Sequence, residues 1–150
     1  MAVTEVNVAP VFAASPTNQV IAEGSLLTVT NSATDSDVPA QVLSYQLFGG
    51  SGDATISAAG VITWTPGESE GPGTNTLTTV VSDGVVSVTN AFTVIVTEVN
   101  VAPVFAATPG EQTLAEGGAL NVTNAATDAD LPVQTLGYSL NAAPVGMSID

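Results

Sequence analysis

The sequence predicts an all-β fold of antiparallel sheets packed face to face, written in tandem repeats of about 93 residues. Three observations predict it. Val, Thr, Ile and Ser dominate, and Gly, Pro, Asn and Asp punctuate them at short intervals, as in a sandwich of short strands. Apolar and polar residues alternate with the period of two that a half-buried antiparallel strand needs. Finally, TEVNVAPVFAA at 4–14 returns letter for letter at 97–107, which is 97 − 4 = 93 residues later.

The strand candidates follow in chain order. A leading strand is expected near 11–22. In LLTVTNSA, Leu27, Val29 and Ala33 share one face, and Thr28, Thr30 and Ser32 the other. In QVLSYQL, Leu43, Tyr45 and Leu47 alternate with Ser44 and Gln46. A short strand is expected near 54–57. VITWT sets Ile62 beside Trp64, TLTTVVSDG sets Leu77, Thr79 and Val81 together, and AFTVIVTE does the same for Phe92, Val94 and Val96. That makes about seven strands per unit. No segment carries a helical period. Seven short strands in a unit of this size indicate a Greek-key β-sandwich like the immunoglobulin class. Leu27, Val29, Leu43, Tyr45, Ile62, Trp64, Leu77, Val81, Val94 and Val96 are the expected core. Trp64 alternates in phase with Ile62, which makes it a core residue rather than an aromatic platform for a sugar.

The repeat extends past the opening. Residues 4–57 align with 97–150 without a gap, and 30 of the 54 positions are identical. AEG, VTN and ATDSDVPAQVLSYQL return as AEG, VTN and ATDADLPVQTLGYSL. The expected organisation is therefore residues 1–100 as one complete repeat and 101–150 as the first half of a second, truncated one. The chain reads as a piece of a longer array.

Composition removes whole classes of function. There are 14 carboxylates and no Lys, Arg or His, for a net charge of −14. Nucleic-acid binding needs cations to neutralise phosphates, and attraction to anionic lipid needs them too. A phosphate-binding loop lacks its lysine. Without His or Cys, neither Ser-His-Asp nor Cys-His catalysis can be assembled, nor a Cys/His zinc site. Without Cys there is no disulfide, so the core must suffice. Without Lys there is no Lys–Asn isopeptide staple. MAVTEVNV has neither the charged start nor the apolar core of a signal peptide. The most apolar run, AFTVIVTEVNVAPVFAA, is broken by Thr, Glu, Asn and Pro and is not a membrane span.

VIVTEVNVAPVF at 94–105 resembles the boundary between cadherin repeats: a strand, then Asp-x-Asn-Asp-Asn, then Ala-Pro-x-Phe. ATDSDVPAQVLSYQL resembles the cadherin Asp-x-Asp segment that leads into a strand with Tyr. With EGSLLTVT, GVITWTPGESEGPGT and VVSDG, the whole unit is similar to the cadherin-like, dystroglycan-type and bacterial immunoglobulin-like repeats of very large bacterial surface proteins. The resemblance implies placement outside the cell or on its surface. It implies a non-enzymatic role as spacer, adhesin or fibre-forming unit. The implied partners are neighbouring repeats of the same protein, through homotypic assembly in a fibre or array. Two other readings stand beside it: a module binding carbohydrate or another cell's surface, and an accessory domain of a large secreted enzyme.

The same resemblance points to calcium. Asp35, Asp37 and Asp83 lie just beyond strand ends at one expected pole, with Asn7 in the incoming linker. The matching cadherin positions ligate Ca²⁺. The second unit supplies Asn100, Asp128 and Asp130, and the preceding unit would add Glu23, Glu68 and Glu98. Hard oxygen ligands from both sides are what Ca²⁺ takes. Val101 and Ala102 stand where cadherins continue with Asp and Asn, which leaves room for one reduced site per joint. The competing reading is that Asp35 and Asp37 cap turns through backbone N–H groups. Weaker signals read as local structure: GGSGD at 49–53 as a turn, Glu68 and Glu70 of GESEG as solvated loop acids rather than glycosidase carboxylates, and the sequon Asn121-Val122-Thr123 as part of a strand.

Overall fold

The computed structural model describes residues 4–50 and 52–149. The chain forms two compact units, Met1–Val99 and Asn100–Asp150. The described residues of the first form nine strands: β1 (Val11–Ala14), β2 (Gln19–Ala22), β3 (Leu27–Thr30), β4 (Ser32–Thr34), β5 (Ser44–Gly49), β6 (Thr55–Ile56), β7 (Val61–Trp64), β8 (Gly73–Ser82) and β9 (Ser87–Thr97). They build a four-stranded sheet in the order β2-β9-β8-β5, a three-stranded sheet β3-β7-β6, and the pair β1-β4. All pairings are antiparallel except β2 with β9, which runs parallel from Gln19↔Val94 to Ala22↔Thr97.

The larger sheets meet in one core. Leu27, Ile62 and Trp64 come from the three-stranded sheet, and Leu77, Phe92, Val94 and Val96 from the four-stranded one. Alternation decides which residues enter it. On β8, Leu77, Thr79 and Val81 are fully enclosed, while their neighbours face outward or lie half-buried. Not one strand contains a charged residue; every described carboxylate sits in a connecting segment. A carboxylate inside the sandwich would lose its hydration with no cation to pair with, so the acids collect beyond the strand ends.

Three expectations need correction. The leading strand near 11–22 is two strands in two different sheets, separated around Pro16, where the missing N–H and fixed φ interrupt a ladder. The segment LLTVTNSA likewise divides into β3 and β4 around fully buried Asn31, whose N–H donates to the Gly60 carbonyl at 2.8 Å. These two divisions raise the expected seven strands to nine. Val29, Leu43 and Tyr45 are half-buried, not enclosed. Val29 packs at the periphery of the core. Leu43 precedes β5, and Tyr45 lies on β5, an edge strand that only β8 covers. The Tyr45 hydroxyl accepts the Ala33 N–H at 2.9 Å, which draws the ring toward β4.

The second unit contains β10 (Val104–Ala107) and β11 (Ala125–Thr127), paired antiparallel. Their register, Val104↔Thr127, Phe105↔Ala126 and Ala107↔Ala125, repeats that of β1 with β4, including the irregularity after the Phe. Tyr138 accepts the Ala126 N–H at 2.9 Å, as Tyr45 does for Ala33. The sequon Asn121-Val122-Thr123, expected within a strand, is not in one. Among the described residues, no helix is long and apolar enough to cross a membrane.

Candidate functional site

Acidic side chains gather in two groups of three among the described residues, each group offering oxygens within 4.8 Å of one another. The first is Asp35, Asp37 and Asp83. Asp35 and Asp37 follow β4, and Asp83 follows β8, so one pole of the sandwich collects all three. Like charges gathered this closely repel, and the chain has no Lys or Arg to offset this.

Backbone and amide donors hold the group instead. Asp83 accepts N–H bonds from Val85 at 2.7 Å and Val86 at 2.6 Å, closing the β8–β9 turn, and an amide N–H from Asn7 at 2.9 Å. Asp37, 7% exposed, receives the Val8 N–H on both oxygens at 3.1 Å. Asp35 accepts the Asp37 N–H at 2.8 Å, so the expected turn cap is present, while its second oxygen is buried without a donor. Gln41 joins the network, donating to Asn7 at 3.0 Å and to Asp37 at 3.3 Å. Sequence reasoning passed over Gln41. The signal was available, since Gln41 returns as Gln134 in the second unit.

These bonds set the titration of the pole. The Val86 N–H, then the Asn7 amide and the Val85 N–H, hold the Asp83 carboxyl below its usual range against the opposing effect of burial. Glu5 is pushed up, first by desolvation and then by the charge and hydrogen bonding of Asp37, with smaller contributions from Asp35 and Asp83. The two signs are opposite. A carboxyl lowered in the folded state stabilises above its unfolded pKa and loses that contribution as pH falls through its folded pKa, here below roughly pH 4. A raised carboxyl opposes folding at neutral pH and stops doing so once protonated. Urea midpoints measured from pH 7 to pH 3 should therefore fall less for Asp83→Asn than for the parent chain. Glu5→Gln should raise the neutral-pH midpoint. Parallel curves for parent and Asp83→Asn would refute the assignment.

The second group is Glu23, Glu68 and Glu98, at the end of the same unit where β2, β7 and β9 finish. Glu23, 9% exposed, accepts the Val99 N–H at 3.0 Å through one oxygen; the other is buried without a donor. Gly71 makes room for it, since a Cβ there would lie 2.9 Å from that oxygen and 2.8 Å from a Val96 methyl. Glu68 is half-buried in this group, which corrects its reading as a solvated loop acid. Glu70 is likewise engaged, accepting the Gly67 N–H at 2.9 Å and the Ser69 hydroxyl at 2.7 Å.

The second unit repeats the first group's inner contacts. Asp130, 2% exposed, receives the Val101 N–H at 3.1 and 3.0 Å, and Asp128 accepts the Asp130 N–H at 3.0 Å. Gln134 donates to Asn100 at 3.4 Å. Clustered carboxylates with bound amide donors and oxygens left over make a hard-oxygen surface for a cation of the Ca²⁺ kind. Trp64, 1% exposed, presents no stacking surface.

Comparison with known proteins agrees with the fold. The bacterial Ig domain family matches residues 7–97. No curated protein matches the chain. Among solved structures, the chain is similar to the first two extracellular cadherin repeats of human protocadherin-24, at 25% identity and a TM-score of 0.47, over 84% of this chain and 62% of that one. It is similar to extracellular cadherin domains 1–4 of protocadherin gamma B7, at 16% identity and a TM-score of 0.50, over 73% of this chain and 30% of that one. It is also similar to an endo-fucoidan hydrolase of glycoside hydrolase family 107, at 21% identity and a TM-score of 0.48, over 63% of this chain and 15% of that one. The chain thus spans less than two thirds of the length of each of these structures.

Proposed function

The chain belongs to the bacterial Ig domain family, a non-catalytic fold typical of extracellular surface proteins, and from that premise we propose that it is a structural repeat of a long surface, adhesin or filament protein, acting as a rigid spacer or fibre-forming unit. Residues 1–100 are one complete repeat in this reading, and 101–150 are the first half of another. The observation that carries it is the verbatim recurrence of TEVNVAPVFAA, together with the same pairing register of the strand that ends each copy. A joint repeated without change gives every neighbouring pair the same geometry, as an array requires. The partners are then neighbouring repeats and further copies, and the placement is outside the cell or at its surface.

Calcium belongs to the same proposal. Asp35, Asp37 and Asp83 with Asn7 form one ligand set, Glu23, Glu68 and Glu98 a second, and Asn100, Asp128 and Asp130 the second unit's counterpart of the first. Val101 and Ala102 remove two linker ligands, so affinity should fall in the ~10⁻⁴–10⁻³ M range of extracellular modules. At ten times the dissociation constant, binding adds roughly 1.4 kcal/mol, a rise in melting temperature of about 5–10 °C. Calorimetric titration and thermal melting with and without millimolar Ca²⁺ test this. Asp35→Ala with Asp83→Ala should remove one share of the rise, and Glu23→Ala another. If calcium leaves the melting temperature of the parent chain unmoved, the acids serve as turn caps and the metal assignment falls.

A further inference from the structure

Four strands form the edges of the two larger sheets: β2 and β5 of one, β3 and β6 of the other. An open edge presents unpaired N–H and C=O groups to any passing strand, and proteins guard it by shortness, charge, Pro or a bulge. β2 and β3 are four residues long and β6 two. β5 is different. It has six residues, none charged and none Pro. Its register on β8 runs from Ser44↔Ser82 to Gly49↔Leu77 without a bulge. Among the described residues, β8 is its one strand neighbour, and no loop backbone bonds to it. Tyr45 and Leu47 are half-buried, while Ser44, Gln46 and Phe48 turn outward, with Phe48 55% exposed.

We propose that β5 is a self-pairing edge: two copies of the chain join antiparallel along it, making one continuous sheet of eight strands. Self-complementarity argues for a second copy. Strands related by a two-fold axis normal to the sheet meet each other's pattern in reverse, outward residues beside outward ones. Gly49 leaves the extended region with φ of +82°, so the regular stretch is Ser44–Phe48 and its centre is Gln46. Gln46 then lies opposite Gln46 of the other copy, Ser44 opposite Phe48, and Tyr45 opposite Leu47. Charge argues for the antiparallel sense. The group of Asp35, Asp37 and Asp83 sits at the Ser44 end, since Asp83 follows Ser82. Parallel copies would set these groups side by side, with no Lys or Arg in either. Antiparallel copies separate them by the length of the strand, ~15–20 Å, about twice the screening length in physiological salt. Each group then lies toward the other copy's Gly49 end, where the first carboxylate in the chain is the single, exposed Asp53. A cationic peptide is a poorer occupant, because the chain's charge would draw it to the acidic poles and not to this uncharged strand. Each sandwich is reversed end for end relative to its partner, which suits contact between facing surfaces. One short edge buries less than the ~1,200 Å² of a stable interface, so a single pair is weak and repetition strengthens it.

The inference rests on the homotypic assembly proposed above and deepens it by naming the strand and its direction. The chain has no Cys, so two single variants, Ser44→Cys and Phe48→Cys, report on the pairing by disulfide formation; residues directly opposite in a ladder are close enough to bridge. The two are mixed in equal amounts at ~0.5 mM in physiological salt under mild oxidant. The mixed disulfide should form at least tenfold faster than either like-with-like disulfide. Adding Gln46→Glu to both variants sets two carboxylates face to face and should reduce the products to the statistical ratio, whereas Val20→Glu, on the opposite edge strand β2, should leave the preference intact. Circular dichroism confirms that each variant keeps its sheet. A statistical mixture from the start would overturn the proposal, as would an excess of like-with-like products or a preference that survives Gln46→Glu. Sedimentation of the parent chain separates the two failures: concentration-dependent association with statistical cross-linking keeps homotypic assembly and removes β5 from it.

Discussion

Replacing Trp64 with Ala should destabilise the first unit by about 3–5 kcal/mol, as for large aromatics removed from cores. Trp64 is 1% exposed and lies opposite Leu27 in a cluster with Ile62, Leu77, Phe92, Val94 and Val96. Both sheets contribute to that cluster, so the indole bridges the layers and its loss leaves a cavity that neither sheet can close alone. For a domain of this size each kcal/mol moves the melting temperature by about 4–8 °C, giving a fall of at least about 12 °C. The whole stability of such a domain is about 5–15 kcal/mol, and no disulfide supports it. The variant is therefore brought close to unfolding at moderate temperature. The chain has one Trp, so the substitution removes its own fluorescence reporter, and far-UV circular dichroism is the measurement of choice. A loss below about 1 kcal/mol would show that the sheets are held together elsewhere.

Period-two patterning is a local property, and the inward faces of β7, β8 and β9 were legible from it. Ile62, Trp64, Leu77, Val81, Phe92, Val94 and Val96 all fall where the alternation puts them. The sequence was less informative where the outcome depends on a distant strand. Val122 and Val29 sit in closely similar sequence, yet only Val29 is in a ladder, because β7 lies beside it. No reading of eight or ten residues contains that fact. The division of the leading strand was missed for a related reason: β1 and β2 choose different sheets, and the partners that decide are β4 and β9.

The candidate site divides the same way. The two aspartates of Asp-x-Asp and the strand-end Asp83 were identifiable by position, and the structure places their carboxylates together. Gln41 was not identified, because an amide carries no charge signature. Its role becomes visible only when Asn7 and Asp37, 34 and 4 residues away, are in reach. Glu68 was misread for the converse reason. A Gly- and Pro-rich loop suggests solvent, but the fold draws this one against Glu23 and Glu98.

Gly60→Ala should cost roughly 2–4 kcal/mol, and the comparison with Gly24→Ala isolates why. Both glycines adopt left-handed backbone, with φ of +78° at Gly60 and +69° at Gly24. An L-residue pays about 1–2 kcal/mol for that conformation. The surroundings differ. A Cβ on Gly24 would meet nothing within 4 Å, whereas one on Gly60 would strike the Asn31 carbonyl and touch the Tyr45 ring at 3.3 Å. Asn31 cannot retreat at low cost. It is fully buried at the division between β3 and β4, and its N–H donates to the Gly60 carbonyl at 2.8 Å. Moving the Asn31 carbonyl away would strain that bond and the register Thr30↔Val61 beside it. Gly24→Ala should therefore lose only the dihedral cost, about 1–2 kcal/mol, while Gly60→Ala adds the steric one. Denaturant midpoints with unchanged slopes would measure the difference. Equal losses at the two positions would mean that the β3–β4 junction yields freely, and the close approach of Gly60 to Asn31 would then contribute nothing to holding the sheet in register.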